Sequence, residues 1–175
     1  MRLPHQAHIL LYALLTSIVS SASAYEQGTK LSVDEGWLVQ ANRFSLKPAQ
    51  LDKNSKVLIF FYSASWCAPC KQTGKALAKV YPDILSQAPQ LQFATYSVDF
   101  TPSARADYLR ESRYPWPAIA PSVIDELNWL QAIPGGTPQF QAFAVQGNTL
   151  TALTSPGAAA TTLDAALQYL KSSEH

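Results

Sequence analysis

The sequence predicts one α/β domain, a β-sheet flanked by helices, and three observations carry that expectation. Val57-Leu58-Ile59-Phe60-Phe61-Tyr62 is an unbroken apolar run, as expected of a central strand buried on both faces. A helix-like segment from Cys67 to Gln87 follows, with Leu77, Val80, Tyr81, Ile84 and Leu85 recurring at helical spacing. The chain then continues as a second β-rich run, one or two helices, a hairpin and a closing helix.

In chain order, residues 1–24 read as a secretory signal peptide. Arg2 gives a weakly basic start, Ile9 to Val19 an apolar core too short to span a bilayer, and Ser21-Ala22-Ser23-Ala24 a small-x-small end. Cleavage is expected after Ala24, leaving one domain over residues 25–175; the competing reading keeps the segment as a membrane anchor. No later stretch is long or apolar enough to cross a membrane. Export places the cysteines in an oxidising compartment. With only two cysteines, the chain does not use disulfides as a framework, and its length allows a core without them. Loss of Arg2 leaves 12 basic against 12 acidic residues, a balance that points away from nucleic acid and anionic membrane as partners.

Residues 25–54 are the least legible. Trp37-Leu38-Val39 and Phe44-Ser45-Leu46 fit two short strands, or a helix and a strand; Lys47-Pro48 and Asp52-Lys53-Asn54-Ser55 read as turns. After the apolar strand, Pro82 is expected to kink the long helix or end its first half. Lys71, Lys75 and Lys79 share a face that reads as solvated; the sharper reading gives Lys71 a share in stabilising a thiolate. Leu91 to Phe100 is the next strand. Pro102 to Ser112 reads as a helix capped by Thr101 with proline at its first position. Tyr114-Pro115-Trp116-Pro117 is excluded from a central strand by its prolines; its aromatics border a partner surface or pack a loop onto the core. A further helix begins at Pro121 or Ser122, buries Val123, Ile124, Leu127 and Leu130, and ends at Ile133-Pro134-Gly135-Gly136. Gln139 to Val145 and Thr149 to Leu153 read as a hairpin around Gly147-Asn148. Ala158 to Leu170 closes the chain as a helix with Leu163, Leu167 and Leu170 inward.

The chemistry concentrates in Trp66-Cys67-Ala68-Pro69-Cys70, which holds both cysteines at a strand-to-helix junction. On a first helical turn, residues i and i+3 share a face, so two sulfurs there can close into a disulfide and reopen. The unpaired amides and partial positive charge of a helix N-terminus favour a thiolate, which assigns Cys67 as nucleophile and the more shielded Cys70 as resolving thiol. Pro69 suits a first turn. Half of a zinc site is a poor alternative: beyond the pair, only His5, His8 and His175 offer soft ligands. A static structural disulfide is another, but so short a loop constrains the unfolded chain little.

Together with Gly136-Thr137-Pro138 and the apolar run behind it, this stretch resembles the active-site half of thioredoxin-like proteins. The resemblance covers about two-thirds of the chain, Lys56 to Leu170. It implies a central mixed sheet, parallel at its start and antiparallel at its finish, preceded by an N-terminal strand and helix. It also implies a cis Thr137–Pro138 bond facing the cysteines, with Trp66, Thr137 and Pro138 contacting substrate. Thr137's backbone would pair with an extended segment, as in strand addition.

Three departures stand out. The buried Asp that thioredoxins carry six residues before the first Cys is Phe61 here, and the partner Lys is Thr95, so another group must move protons. The spacing from Cys70 to Pro138 is also long, an insertion placed in Phe100 to Ala120, as in periplasmic relatives of the TlpA type and in tryparedoxin-like proteins. The implied activity is exported, periplasmic thiol–disulfide exchange, with reduction of protein disulfides favoured over donation. Disulfide-bearing protein substrates and a membrane electron donor are the expected partners, with no cofactor, no metal and a monomeric state. A thioredoxin-fold binding or assembly factor without turnover remains the alternative, and a metal carrier is weaker because the mature chain holds no Met and no His but His175.

Overall fold

A computed structural model describes residues 28, 30–33, 36–126 and 136–173. The signal segment, Leu127, Leu130 and Ile133 to Gly135 lie outside them. Three short strands come first: β1 (Lys30–Ser32), β2 (Leu38–Ala41) and β3 (Leu46–Ala49). Then follow β4 (Val57–Ser63), α1 (Ala68–Gln87), β5 (Leu91–Ser97), α2 (Pro102–Ser112), β6 (Ala118–Ile119) and α3 (Pro121–Glu126). β7 (Gln139–Gln146), β8 (Thr149–Ala152) and α4 (Ala159–Ser172) finish the chain. No helix among the described residues is long and apolar enough to cross a membrane.

All strands join one mixed sheet in the order β1-β8-β7-β4-β5-β6-β2-β3. At its centre β4 runs parallel to β5 and antiparallel to β7, and β7 turns back into β8. Every residue of β4 is buried. Because successive side chains alternate across a sheet, Val57, Ile59 and Phe61 enter one apolar cluster with Cys67, Cys70, Tyr108, Tyr114, Ala166 and Leu170. Leu58, Phe60 and Tyr62 enter a second with Trp37, Tyr96, Ile124 and Phe143. An apolar run without alternation is what two covered faces require, each large side chain contributing roughly 1.5–3 kcal/mol relative to exposure. The hairpin turns on Gly147, whose φ of 59° suits the tight β7–β8 connection.

Several expectations are corrected. No helix among the described residues precedes β4; the N-terminal region supplies β1 to one sheet edge and the β2–β3 hairpin to the other. Lys47-Pro48 is not a turn but the middle of β3, where an edge strand tolerates proline's missing N–H. Helix α1 continues through Pro82 to Gln87. Val80 is 47% exposed and so leaves the stripe, whereas Tyr81 is buried. β5 ends at Ser97, three residues short of Phe100, and the expected insertion region holds α2 and β6. Tyr114 and Trp116 are buried, so the aromatics of this segment pack onto the core. The Thr101 cap stands as expected, its Oγ1 accepting from Ala104 N at 3.1 Å, with Pro102 opening α2.

Candidate active site

β4 delivers the chain to a short loop, Ala64-Ser65-Trp66, that ends at the N-cap of α1. The cap is Cys67, in extended conformation (φ −91°, ψ 95°), with Pro69 in the first turn. Cys67 and Cys70 are joined as a disulfide, their Cα atoms 5.2 Å apart. The Cys70 amide points at the Cys67 sulfur, 3.2 Å away. This is the place a capping oxygen takes in other helices, and an amide so placed at a helix N-terminus favours a negatively charged sulfur. Cys67 is 5% exposed and Cys70 wholly buried, which matches an attacking and a shielded thiol. The Thr137 carbonyl oxygen lies 3.6 Å from the Cys67 sulfur, and the Thr137–Pro138 peptide is cis. Cys67, Cys70 and the cis Thr137–Pro138 peptide thus lie together. The Thr137 side-chain hydroxyl is buried without a hydrogen-bond partner among the described residues. Lys71, Lys75 and Lys79 are all exposed.

Trp66 is 58% exposed, and its ring stacks on Phe100, itself 83% exposed (centroids 6.3 Å, interplanar 19°). The loop is held from below by Asp99, which is 1% exposed. Its carboxylate accepts from Ser65 N (3.2 and 3.1 Å), Ser65 Oγ (2.6 Å) and Ser97 Oγ (2.8 Å). Asp99 and Phe100 follow β5 directly, so the sheet fixes both against the cysteine loop. The sequence reading assigned neither a role; the one available signal was a charge at the end of an apolar run, Ser97-Val98-Asp99-Phe100.

Phe61 and Thr95, the two departures from the thioredoxin pattern, are direct neighbours in the β4–β5 ladder. Phe61 stacks on Phe140 (4.9 Å, 18°) and meets Tyr114 edge-on (6.0 Å, 61°). Thr95 Oγ1 accepts from Trp116 Nε1 at 2.9 Å. The space under the cysteine helix is therefore aromatic and carries hydroxyls instead of a carboxylate and an ammonium. Tyr108 and Ser63 hydrogen-bond through their hydroxyls, and Tyr108 Oη lies 3.4 Å from Tyr114 Oη. Burial, then the Tyr108 hydroxyl, pushes the Tyr114 phenol well above its ordinary pKa, against a smaller opposing effect from Ser112. Burial likewise raises Tyr81.

Comparison with known proteins agrees with this geometry. No protein-family profile matches the chain. Two curated relatives from Oryza sativa subsp. japonica, Thioredoxin H4-1 and Thioredoxin H4-2, are 38% and 36% identical over 53 residues. That stretch is 30% of this chain and spans only 37% of either relative. Among solved structures, thioredoxin from Wuchereria bancrofti superposes with a TM-score of 0.50 at 20% identity, covering 79% of this chain and 99% of its own. A cysteine-to-alanine mutant of tryparedoxin-I gives 0.55 at 16% identity, covering 74% and 87%. Native tryparedoxin I from Crithidia fasciculata gives 0.50 at 18%, covering 74% and 85%. At these identities the likeness is one of fold. The chain has a thioredoxin-like fold bearing a disulfide-capable Cys67–Cys70 pair.

Proposed function

We propose that the protein is an exported thiol–disulfide oxidoreductase that reduces protein disulfides through the Cys67–Cys70 dithiol. The observation that carries the reading is the placement of Cys67: at the N-cap of α1, aimed at by the Cys70 amide and 3.6 Å from the Thr137 carbonyl. In the forward step, the Cys67 thiolate attacks a substrate sulfur and forms a mixed disulfide. Cys70 then attacks the Cys67 sulfur, closing the intramolecular disulfide and releasing the second substrate thiol. Thr137 and Pro138 border Cys67 on the side where an extended substrate can lie against the Thr137 backbone. Export is supported by the signal-like character of residues 1–24; a periplasmic location and a membrane electron donor that re-reduces the pair belong to the same reading.

The Trp66–Phe100 stack is read as the apolar contact for the substrate chain around the disulfide. Exposed aromatics beside a nucleophile present rigid area at small entropic cost. The test is steady-state reduction of a protein disulfide with dithiothreitol as the electron source. Catalysis above the dithiothreitol background is expected, and its absence would sink the reading. In the same assay Phe100→Ser is expected to raise KM about fivefold, roughly 1 kcal/mol of binding, with kcat unchanged because the ring does not touch a reacting sulfur. An unaltered KM would remove Phe100 from the substrate surface.

A further inference from the structure

We propose that Tyr114, with Ser112 as its outlet and Tyr108 and Ser63 as its supports, relays the proton that Cys70 must lose before it attacks Cys67. The proposal rests on the thiol–disulfide reading above and supplies the group that the site lacks at Phe61.

Resolution of a mixed disulfide needs Cys70 as a thiolate, yet Cys70 is fully buried in an apolar cluster. Burial opposes ionisation of a thiol, so a route for its proton is required. Phe61 and Thr95 cannot act as base or acid there. What does reach the cysteine helix is the Tyr114 hydroxyl. It occupies the space a side chain at Gly74 would fill: a Cβ on Gly74 would overlap Tyr114 Oη and ring carbons Cζ and Cε1. Gly74 is one turn beyond Cys70, and Cβ positions four apart on a helix are ~6 Å from each other. The Tyr114 oxygen, overlapping that Cβ position, therefore lies within about one helical turn of the Cys70 side chain. A glycine buried inside a 20-residue helix, at a cost of about 1 kcal/mol relative to alanine, makes room for this hydroxyl.

The ring itself is held by packing, stacked on Trp116 (4.9 Å, 17°) and edge-on to Phe61. Its oxygen is hydrogen-bonded inward to Tyr108 Oη at 3.4 Å, in turn hydrogen-bonded to Ser63 Oγ at the end of β4. Outward, Ser112 and Tyr114 line a cleft of about 190 Å3 with Lys71, Lys75 and Glu111. The row of hydroxyls thus runs from the interior end of β4, past the cysteine helix, to solvent. Buried hydroxyls in an aromatic cluster are costly unless paired, and phenylalanine would pack as well at either tyrosine. The phenol of Tyr114 stays neutral, which suits a group that accepts one proton while giving up another. The charged groups facing the row are Lys71 and Lys75 on α1 and Glu111 on α2; β4, β5 and the loop present Phe61, Thr95 and Trp116.

The step balances as follows. The Cys70 thiol proton passes to the Tyr114 oxygen, directly or through one water, as Tyr114 passes its own proton through Ser112 to water in the cleft. The Cys70 thiolate then forms the bond to the Cys67 sulfur, the bond between Cys67 and the substrate sulfur breaks, and the substrate leaves as a thiolate that is protonated from solvent.

The test uses the reduced, full-length protein and an aromatic disulfide whose released thiolate is coloured. The first equivalent released reports attack by Cys67, the second reports resolution by Cys70. Tyr114→Phe keeps the packed ring and is expected to slow the second phase by about tenfold or more near pH 6.5, with the first phase unchanged. The deficit should vanish above about pH 9, where hydroxide ionises Cys70 directly. Tyr108→Phe is expected to act in the same direction and more weakly. A second phase with the wild-type rate and pH profile in Tyr114→Phe overturns the relay, as does an equal loss in both phases, which marks a structural role. A wild type that releases one equivalent and stops overturns the thiol–disulfide reading, and the relay with it.

Discussion

Cys67→Ser is expected to abolish protein-disulfide reduction, lowering turnover by about a thousandfold or more, while Cys70→Ser stalls with substrate attached. The difference follows from the two positions. Cys67 caps α1 and is the partly accessible sulfur, so without it no mixed disulfide forms. Cys70 is buried and reaches only Cys67, so its loss leaves the first step intact and blocks the second. Mass spectrometry after mixing Cys70→Ser with a disulfide substrate should show one covalent adduct per chain, and Cys67→Ser should show none. Retention of cellular function by Cys67→Ser would contradict catalysis and leave a thioredoxin-fold binding or assembly factor, the reading that Phe61 in place of a buried acid otherwise keeps alive.

The second large effect is expected far from the sulfurs. Arg105 on α2 is wholly buried. Its Nε donates to the Asp99 carbonyl oxygen (2.8 Å), and its Nη1 donates to the Pro121 carbonyl oxygen (3.2 Å) and to Asp125 Oδ1 (2.7 Å). Its Nη2 is buried without a hydrogen-bond partner among the described residues. One side chain on α2 therefore ties the residue that holds the cysteine loop, Asp99, to α3. Arg105→Ala strands two carbonyls and opens a cavity, at a cost of about 3 kcal/mol or roughly 10 °C in Tm for a domain of this size. Asp125→Asn keeps an acceptor oxygen for Nη1 but leaves the wholly buried guanidinium without its carboxylate, so it is expected to cost about 1–3 kcal/mol, less than Arg105→Ala. Thermal unfolding checks both; a near-neutral Arg105→Ala would show that the tie carries no stability.

Where the sequence was legible, one physical pattern spoke to one structural demand. Val57 to Tyr62 lacks alternation because both faces of β4 are covered. Thr101-Pro102 marks a helix start by its capping hydroxyl. Cys67 and Cys70 declare themselves by spacing, and Thr137-Pro138 by resemblance to a site whose other half was already found. The illegible parts share a different cause. β2 and β3 are four-residue strands near one margin of the sheet, mostly partly exposed, and β3 carries Pro48, so neither period nor composition separates them from turns. Arg105 and Asp99 are charged residues buried for their hydrogen bonds, and no sequence pattern reports burial of that kind. Tyr114 and Trp116 fit an interface and a core equally well in the sequence; only the approach of Tyr114 to Gly74 places them inside. The apolar pattern runs on to Phe100, whereas β5 stops at Ser97 and leaves the Phe100 ring to stack on Trp66.

The reduction potential of the Cys67–Cys70 pair, measured by equilibration against glutathione buffers, bears most directly on the proposed reductase. A potential near about −270 mV is expected of a dithiol that passes electrons from a membrane donor to protein disulfides. A potential near about −120 mV would mark a disulfide donor and contradict the direction proposed for this protein.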